Sequence, residues 1–173
     1  HRRIILRESS GVITVVMAND AVKPVKGALE YGYITLDGKK ASVRSKTFIA
    51  EPSSRTVIAS FKRGKESATD GVWFARIKGK SDILPATLRA ADMREMKIVK
   101  PVLAVKTMKT AKGSYAVTVT SDVFAHAVNL ALPDNAVTDD NYFDLLPGTS
   151  RTVTVWAKTL AANNLSVTSV VLG

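Results

Sequence analysis

After the turn signal Pro147-Gly148, the chain passes through Thr152-Val153-Thr154-Val155, a strict alternation of hydroxyl and apolar side chains. Such a period of two is a strand, because successive side chains on extended backbone point to opposite faces. Val153 and Val155 then share one face, and Thr152, Thr154 and Trp156 share the other. A strand dry on one side and wet on the other belongs to an antiparallel sheet, here one half of a β-sandwich. Just before it, Asp140-Asn141 are turn formers and Tyr142-Phe143-Asp144-Leu145-Leu146 is a short, mostly apolar run. The whole stretch reads as strand end, turn, strand.

The rest of the chain follows the same grammar. Residues 4–18 hold a strand start and then the β-branched run 11–18, ended by Asn19-Asp20. Strands are expected over 28–36, 40–49, 55–61, 71–77 and 86–90, with a strong hairpin signal at Asp37-Gly38. Strand and turn recur about every ten residues, the rhythm of an antiparallel sandwich. Residues 92–97 read as a linker, with a short helical turn also open to Ala91-Asp92-Met93-Arg94-Glu95-Met96.

From Ile98 the plan repeats. Gly11–Asp20 aligns with Gly113–Asp122 at a constant offset of 102, which sets Val15 and Met17 on Val117 and Val119. Arg55-Thr56-Val57 aligns with Arg151-Thr152-Val153 at an offset of 96. Periods of roughly 20 to 50 residues mark solenoids, so a repeat this long means two successive domains. The second copy continues through 123–132, turns at Pro133-Asp134-Asn135, crosses a last connection at 160–164 and closes on a strand over 165–172. The expectation is an all-β chain of two tandem immunoglobulin-like antiparallel β-sandwiches with Greek-key order, at 1–92 and 93–173.

Composition narrows what such a pair can do. The chain has no cysteine, which removes disulfide-pinned sandwiches and thiolate metal sites. No apolar stretch is long enough to cross a bilayer, so no membrane partner is expected. Residues 1–7 are too short before Glu8 for a signal peptide, and the signal of an exported protein would lie upstream of His1. The net charge of +10 is uneven: 17 Lys and Arg against 9 acids in residues 1–92, and 8 against 6 afterwards. The basic residues are scattered without an aromatic base-stacking platform, so nucleic acid is not an expected partner.

The wording of several segments resembles one family. Asp140-Asn141-Tyr142-Phe143-Asp144-Leu145-Leu146-Pro147-Gly148 is similar to a signature near the C-terminus of β-mannosidases of glycoside hydrolase family 2. Val15-Val16-Met17-Ala18-Asn19-Asp20 with Lys23-Pro24-Val25-Lys26-Gly27-Ala28-Leu29 resembles the penultimate sandwich of those enzymes, and Thr120-Ser121-Asp122-Val123-Phe124-Ala125 a strand and turn of the last. Thr149 departs from the acidic residue usual after the signature, and 86–90 is poorer in aromatics than the matching strand. Related exo-β-glucosaminidases share the layout. The resemblance implies the C-terminal accessory domains of a periplasmic, secreted or lysosomal β-mannosidase, without the catalytic barrel. It also implies that the barrel and other domains of the parent are partners, with an oligosaccharide as a further one.

Chemistry is sparse by comparison. A retaining glycosidase needs two carboxyl groups about 5 to 5.5 Å apart, and in the family both are barrel glutamates. Glu8, Glu30, Glu51, Glu66 and Glu95 are isolated and read as solvated surface, so the chain by itself is not expected to be an enzyme. His126 lies near Ser121 and Asp122 in sequence, but neighbours on a strand and tight turn point apart, and it reads as a polar strand residue. Asp139, Asp140, Asn141 and Asp144 match no EF-hand spacing and read as an Asx turn. No metal or cofactor is expected. Trp73, Trp156 and Tyr142 are the candidates for contact with carbohydrate or a neighbouring domain, and of Trp73 and Phe74 at least one should be core. A carbohydrate-binding module and an immunoglobulin-like protein-interaction pair remain alternatives, the former requiring at least two exposed aromatics on one sheet face or lining one loop cleft.

Overall fold

A computed structural model of the protein describes residues 2–79, 82–160 and 165–170. The chain is all-β, built as two tandem antiparallel sandwiches. One compact unit gathers the residues up to Thr35 and Lys39–Met96, and the other gathers Leu36–Gly38 and the chain from Lys97 onward. Among the described residues no helix is long and apolar enough to cross a membrane.

The first unit opens with β1 (Arg2–Ser9) and β2 (Val12–Asn19), paired from Arg2↔Asn19 to Ser9↔Val12. Only Ser10 and Gly11 remain for the turn, both at positive φ (50° and 73°). Two such residues make the tight hairpin whose twist matches its strands. The chain then crosses to β3 (Val25–Thr35) and β4 (Ala41–Ala50), returns through β5 (Ser54–Lys62), and crosses again to β6 (Gly71–Ile77) and β7 (Ala86–Leu88). The sheets are β1-β2-β5 and β4-β3-β6-β7. Val15, Met17, Leu29, Tyr31 and Phe48 are part of the core between them. Strand β3 starts three residues ahead of the expected 28 because Val25 is buried and pairs with Ala50. A 3-10 turn over Met93–Glu95, capped by the Asp92 carboxylate on the Arg94 N–H, takes up the helical option of the linker.

The second unit contains β8 (Leu103–Ala111), β9 (Ser114–Ser121), β10 (Ala125–Ala131), β11 (Val137–Thr138), β12 (Phe143–Leu145), β13 (Ser150–Trp156) and β14 (Ser166–Val170). Its sheets run β11-β13-β9-β8 and β12-β10-β14. Val117, Val119, Val153 and Val155 fill the core, as the alternation requires. The connection at 161–164 and the strand end at 171–172 lie outside the described residues.

The strand orders bear out the repeat. Triplet β1-β2-β5 answers to β8-β9-β13, and β4-β3-β6 to β12-β10-β14. Asn19 and Ser121, 102 residues apart, are the fully buried polar residues among those described, each at the end of its central strand. The Asn19 amide nitrogen lies 2.9 to 3.1 Å from the carbonyls of Lys23, Ala50 and Glu51. Ser121 answers with backbone bonds to Gly148 and Thr149 and a 2.6 Å bond from Oγ to the Val123 carbonyl. In both copies a buried polar residue ties the central strand to the turn that precedes β5 or β13.

One alignment in the repeat fails. Arg55 pairs with Ala18, whereas Arg151 pairs with Val119, the counterpart of Met17. The structural match of Arg55 is therefore Ser150. A shift of one residue turns a side chain to the opposite face of a sheet, so Arg55 is exposed and Arg151 points inward with Val153 and Val155.

Candidate functional site

The signature around Asn141 folds onto a defect in strand β10. Between Ala125 and Val128 the register with β12 shifts by one residue, and the register with β14 shifts over the same segment. Ala127 sits at φ 48°. A bulge leaves backbone groups outside the ladder, and Asp144 answers it: its Oδ1 accepts the Ala127 N–H at 3.1 Å. The same oxygen lies 2.7 Å from His126 Nδ1, which as an N–H donates to it.

Asn141 extends the sheet by side chain. Its Oδ1 accepts the Leu130 N–H at 2.8 Å and its Nδ2 donates to the Leu130 carbonyl at 3.1 Å, two residues before β12 begins. Asp139 Oδ1 accepts the Thr154 N–H, and Asp140 pairs with Arg151. The Arg151 guanidinium also stands 4.4 Å from the Phe143 ring centroid. Burial pushes the Arg151 pKa down, with the charge of Asp139 opposing, yet an arginine so placed stays protonated at any ordinary pH. The four polar side chains thus tie their own domain together, an extension of the expected Asx turn into a clamp spanning three strands. Among the described residues no group of three or more His, Cys, Asp or Glu is placed to hold a metal ion.

The aromatic candidates separate. Trp73 is 1% exposed and packs edge-on against Tyr33, with ring centroids 5.1 Å apart, beside Ile13. It has no open face for a sugar, which corrects its expected role as a contact residue. Phe74 is buried as well. Trp156 is 45% exposed on the threonine face of β13, opposite Val137 of β11, itself exposed. Tyr142, at φ 61°, is 69% exposed. Among the described residues no ring contact joins Trp156 to Tyr142.

Of the five glutamates, Glu30 and Glu66 are half-buried, which corrects the reading of all five as solvated surface. Glu30 Oε2 meets Arg76 Nε at 3.0 Å, while Glu8 stands 3.5 Å from Arg63. Glu66 and Asp70 line an open groove of about 350 Å³ with Tyr33, Thr35, Lys40 and Ser42. The Tyr33 hydroxyl donates to the Ser67 carbonyl at 2.8 Å. Burial, then the charges of Asp70 and Glu66, push its pKa up. Both acids come from the loop joining β5 and β6, and the facing wall supplies a phenol, hydroxyls and Lys40. Both acids thus stand on one loop, whereas the two carboxyl groups of a glycosidase flank the scissile bond. Ser121 and Asp122, the neighbours of His126 in sequence, are engaged elsewhere: Ser121 Oγ donates to the Val123 carbonyl, and Asp122 accepts the Val102 and Val123 N–H groups.

The inward place of Arg151 was readable, since it shares parity with Val153 and Val155. Its partner Asp140 carried no such signal.

Residues 98–171 match Ig_mannosidase, an Ig-fold domain. The matched stretch is most of the second unit. Both units together are similar to part of the β-D-mannosidase of Dictyoglomus thermophilum, with a TM-score of 0.89 and 18% identity over 97% of this chain and 21% of that one. The exo-chitosanase CsxA of Amycolatopsis orientalis gives a TM-score of 0.61 and 16% identity, over 88% of this chain and 23% of that one. At these identities the likeness is one of fold, and the chain spans less than a quarter of the length of either structure. No curated protein matches the sequence.

Proposed function

We propose that the chain forms the non-catalytic C-terminal accessory domains of a larger glycoside hydrolase of the β-mannosidase type, whose remaining domains, including a catalytic barrel, are its partners. The observation that carries this reading is the joint match: an Ig_mannosidase domain over 98–171, within a two-domain likeness to a β-D-mannosidase over 97% of the chain. The signature supports it, because its polar side chains serve the fold and not a substrate. The parent would hydrolyse terminal β-D-mannosides, with terminal β-D-glucosaminides as the alternative that the likeness to the exo-chitosanase raises. A free-standing carbohydrate-binding module is less well supported, since Trp156 is the one exposed aromatic on a strand among the described residues.

Assay of this chain alone on aryl β-D-mannosides and aryl β-D-glucosaminides tests the non-catalytic role. The expected result is a folded protein without hydrolysis of either. Turnover that co-purifies with the chain and is lost with a Glu66→Gln substitution would overturn it.

A further inference from the structure

The outer face of β1-β2-β5 has an uneven distribution of charge. Register places Arg3, Ala18 and Arg55 in one cross-strand row, then Ile5, Val16 and Val57, then Arg7, Thr14 and Ser60, then Ser9, Val12 and Lys62. These residues point away from Ile13, Val15 and Met17, which are buried on the other face. Arg3, Arg7, Arg55 and Lys62 are all exposed, and no ion pair engages them among the described residues. Among the described residues the four rows carry no carboxylate: Glu8 belongs to the opposite parity and pairs with Arg63.

The shape is as telling as the charge. Central strand β2 offers only short side chains, of which Val16 and Ala18 are themselves buried, 3% and 2% exposed, and Val12 and Thr14 half-buried, while the long cations stand on the flanking strands β1 and β5. Two strand spacings separate these rails by about 10 Å, and the four rows run about 20 Å along the strands. The result is a shallow track with cations on both sides and hydroxyls, Thr14 and Ser60, on its floor and wall. The equivalent face of the second unit carries Thr118, Thr152, Ala116, Thr154 and one cation, Lys106. The cationic track is thus particular to the first copy and not a property of the fold.

We propose that this track binds a linear anionic polysaccharide, a uronate-bearing chain lying along β2 between the two rails. Guanidinium forks match carboxylates in a two-point geometry, and the threonine and serine hydroxyls match sugar hydroxyls. Exposed Val57 at mid-track suits the apolar face of a sugar ring. A single-stranded nucleic acid fits less well, because none of the residues in the four rows is an aromatic on which bases could stack. The inference does not depend on what a parent enzyme hydrolyses.

Affinity electrophoresis of the whole chain at low salt, in gels containing polygalacturonate, neutral galactan or oligothymidylate, tests it. Polygalacturonate should retard the chain, with retardation fading as salt screens the charges, and galactan should not. The double substitution Arg3→Glu with Arg55→Glu should weaken binding by about tenfold or more. Lys106→Glu with Lys109→Glu, which changes net charge equally on the other unit, should leave it within about twofold. Arg7→Glu with Lys62→Glu provides an independent pair should the first disturb folding, as read by near-ultraviolet circular dichroism. Absence of retardation by polygalacturonate, equal losses in track and control variants, or oligothymidylate bound as tightly as the uronate polymer would each overturn the proposal.

Discussion

Asn141 grips Leu130 by both of its backbone groups, accepting its N–H at 2.8 Å and donating to its carbonyl at 3.1 Å. A single side chain thereby supplies what a further strand residue would have supplied. Asn141→Ala leaves both groups without that partner, and a stranded backbone group costs about 1 to 3 kcal/mol. Urea denaturation should show a loss in that range. Asn141→Asp should not restore it, since the carboxylate can accept from Leu130 but cannot donate.

The two tryptophans should respond in opposite ways. Trp73 is buried against Tyr33, and Trp73→Ala should cost about 3 to 5 kcal/mol, the usual range for emptying a large core site. Trp156 is half exposed on its sheet face, and Trp156→Ala should change the stability of this chain by less than about 1 kcal/mol. Thermal or urea unfolding of both variants checks the contrast.

Much of this arrangement was legible in the sequence, and the limit has a physical cause. Strand β6 lies at Gly71–Ile77 as expected, because a β-branched and aromatic run between turn signals has few other options. Val15, Met17, Val117 and Val119 are core because both the repeat and the period of two select them. The work of Asn141 and Asp144 was hidden, since their partners Leu130 and Ala127 are 11 and 17 residues away at a bulge without a sequence mark. Arg55 and Arg151 misled for a related reason: the same three letters, Arg-Thr-Val, enter two strands one residue out of step.

Two glycines should tolerate a methyl group differently. A Cβ on Gly32 would collide with the Ser42 carbonyl oxygen on the neighbouring strand, where backbone cannot easily yield. Gly32→Ala should therefore destabilise by about 3 kcal/mol or more. Gly11, at φ 73°, has open space around it, and Gly11→Ala should cost only the left-handed strain of about 1 kcal/mol. Denaturation midpoints with unchanged slopes would confirm the order.

Alkaline pH should weaken the first unit through Tyr33. Its pKa is raised in the folded state by burial and by Asp70 and Glu66, so the unfolded chain loses the phenolic proton first. The stabilisation is fully present below about pH 10, the ordinary tyrosine value, and is lost as pH rises through the folded pKa. Tyr33→Phe should lower stability at pH 7 by about 1 kcal/mol, for the bond to Ser67. It should also flatten the decline above pH 10. An unchanged alkaline slope in the variant would assign that decline to other groups.

The accessory-domain account is tested most directly by the mass of the native polypeptide that carries this sequence, read by immunoblot of its source and followed through fractionation for aryl β-D-mannoside hydrolysis. The account expects a band several times heavier than 18.6 kDa that travels with the activity. A native band at the mass of this chain, separating from the activity, would contradict it.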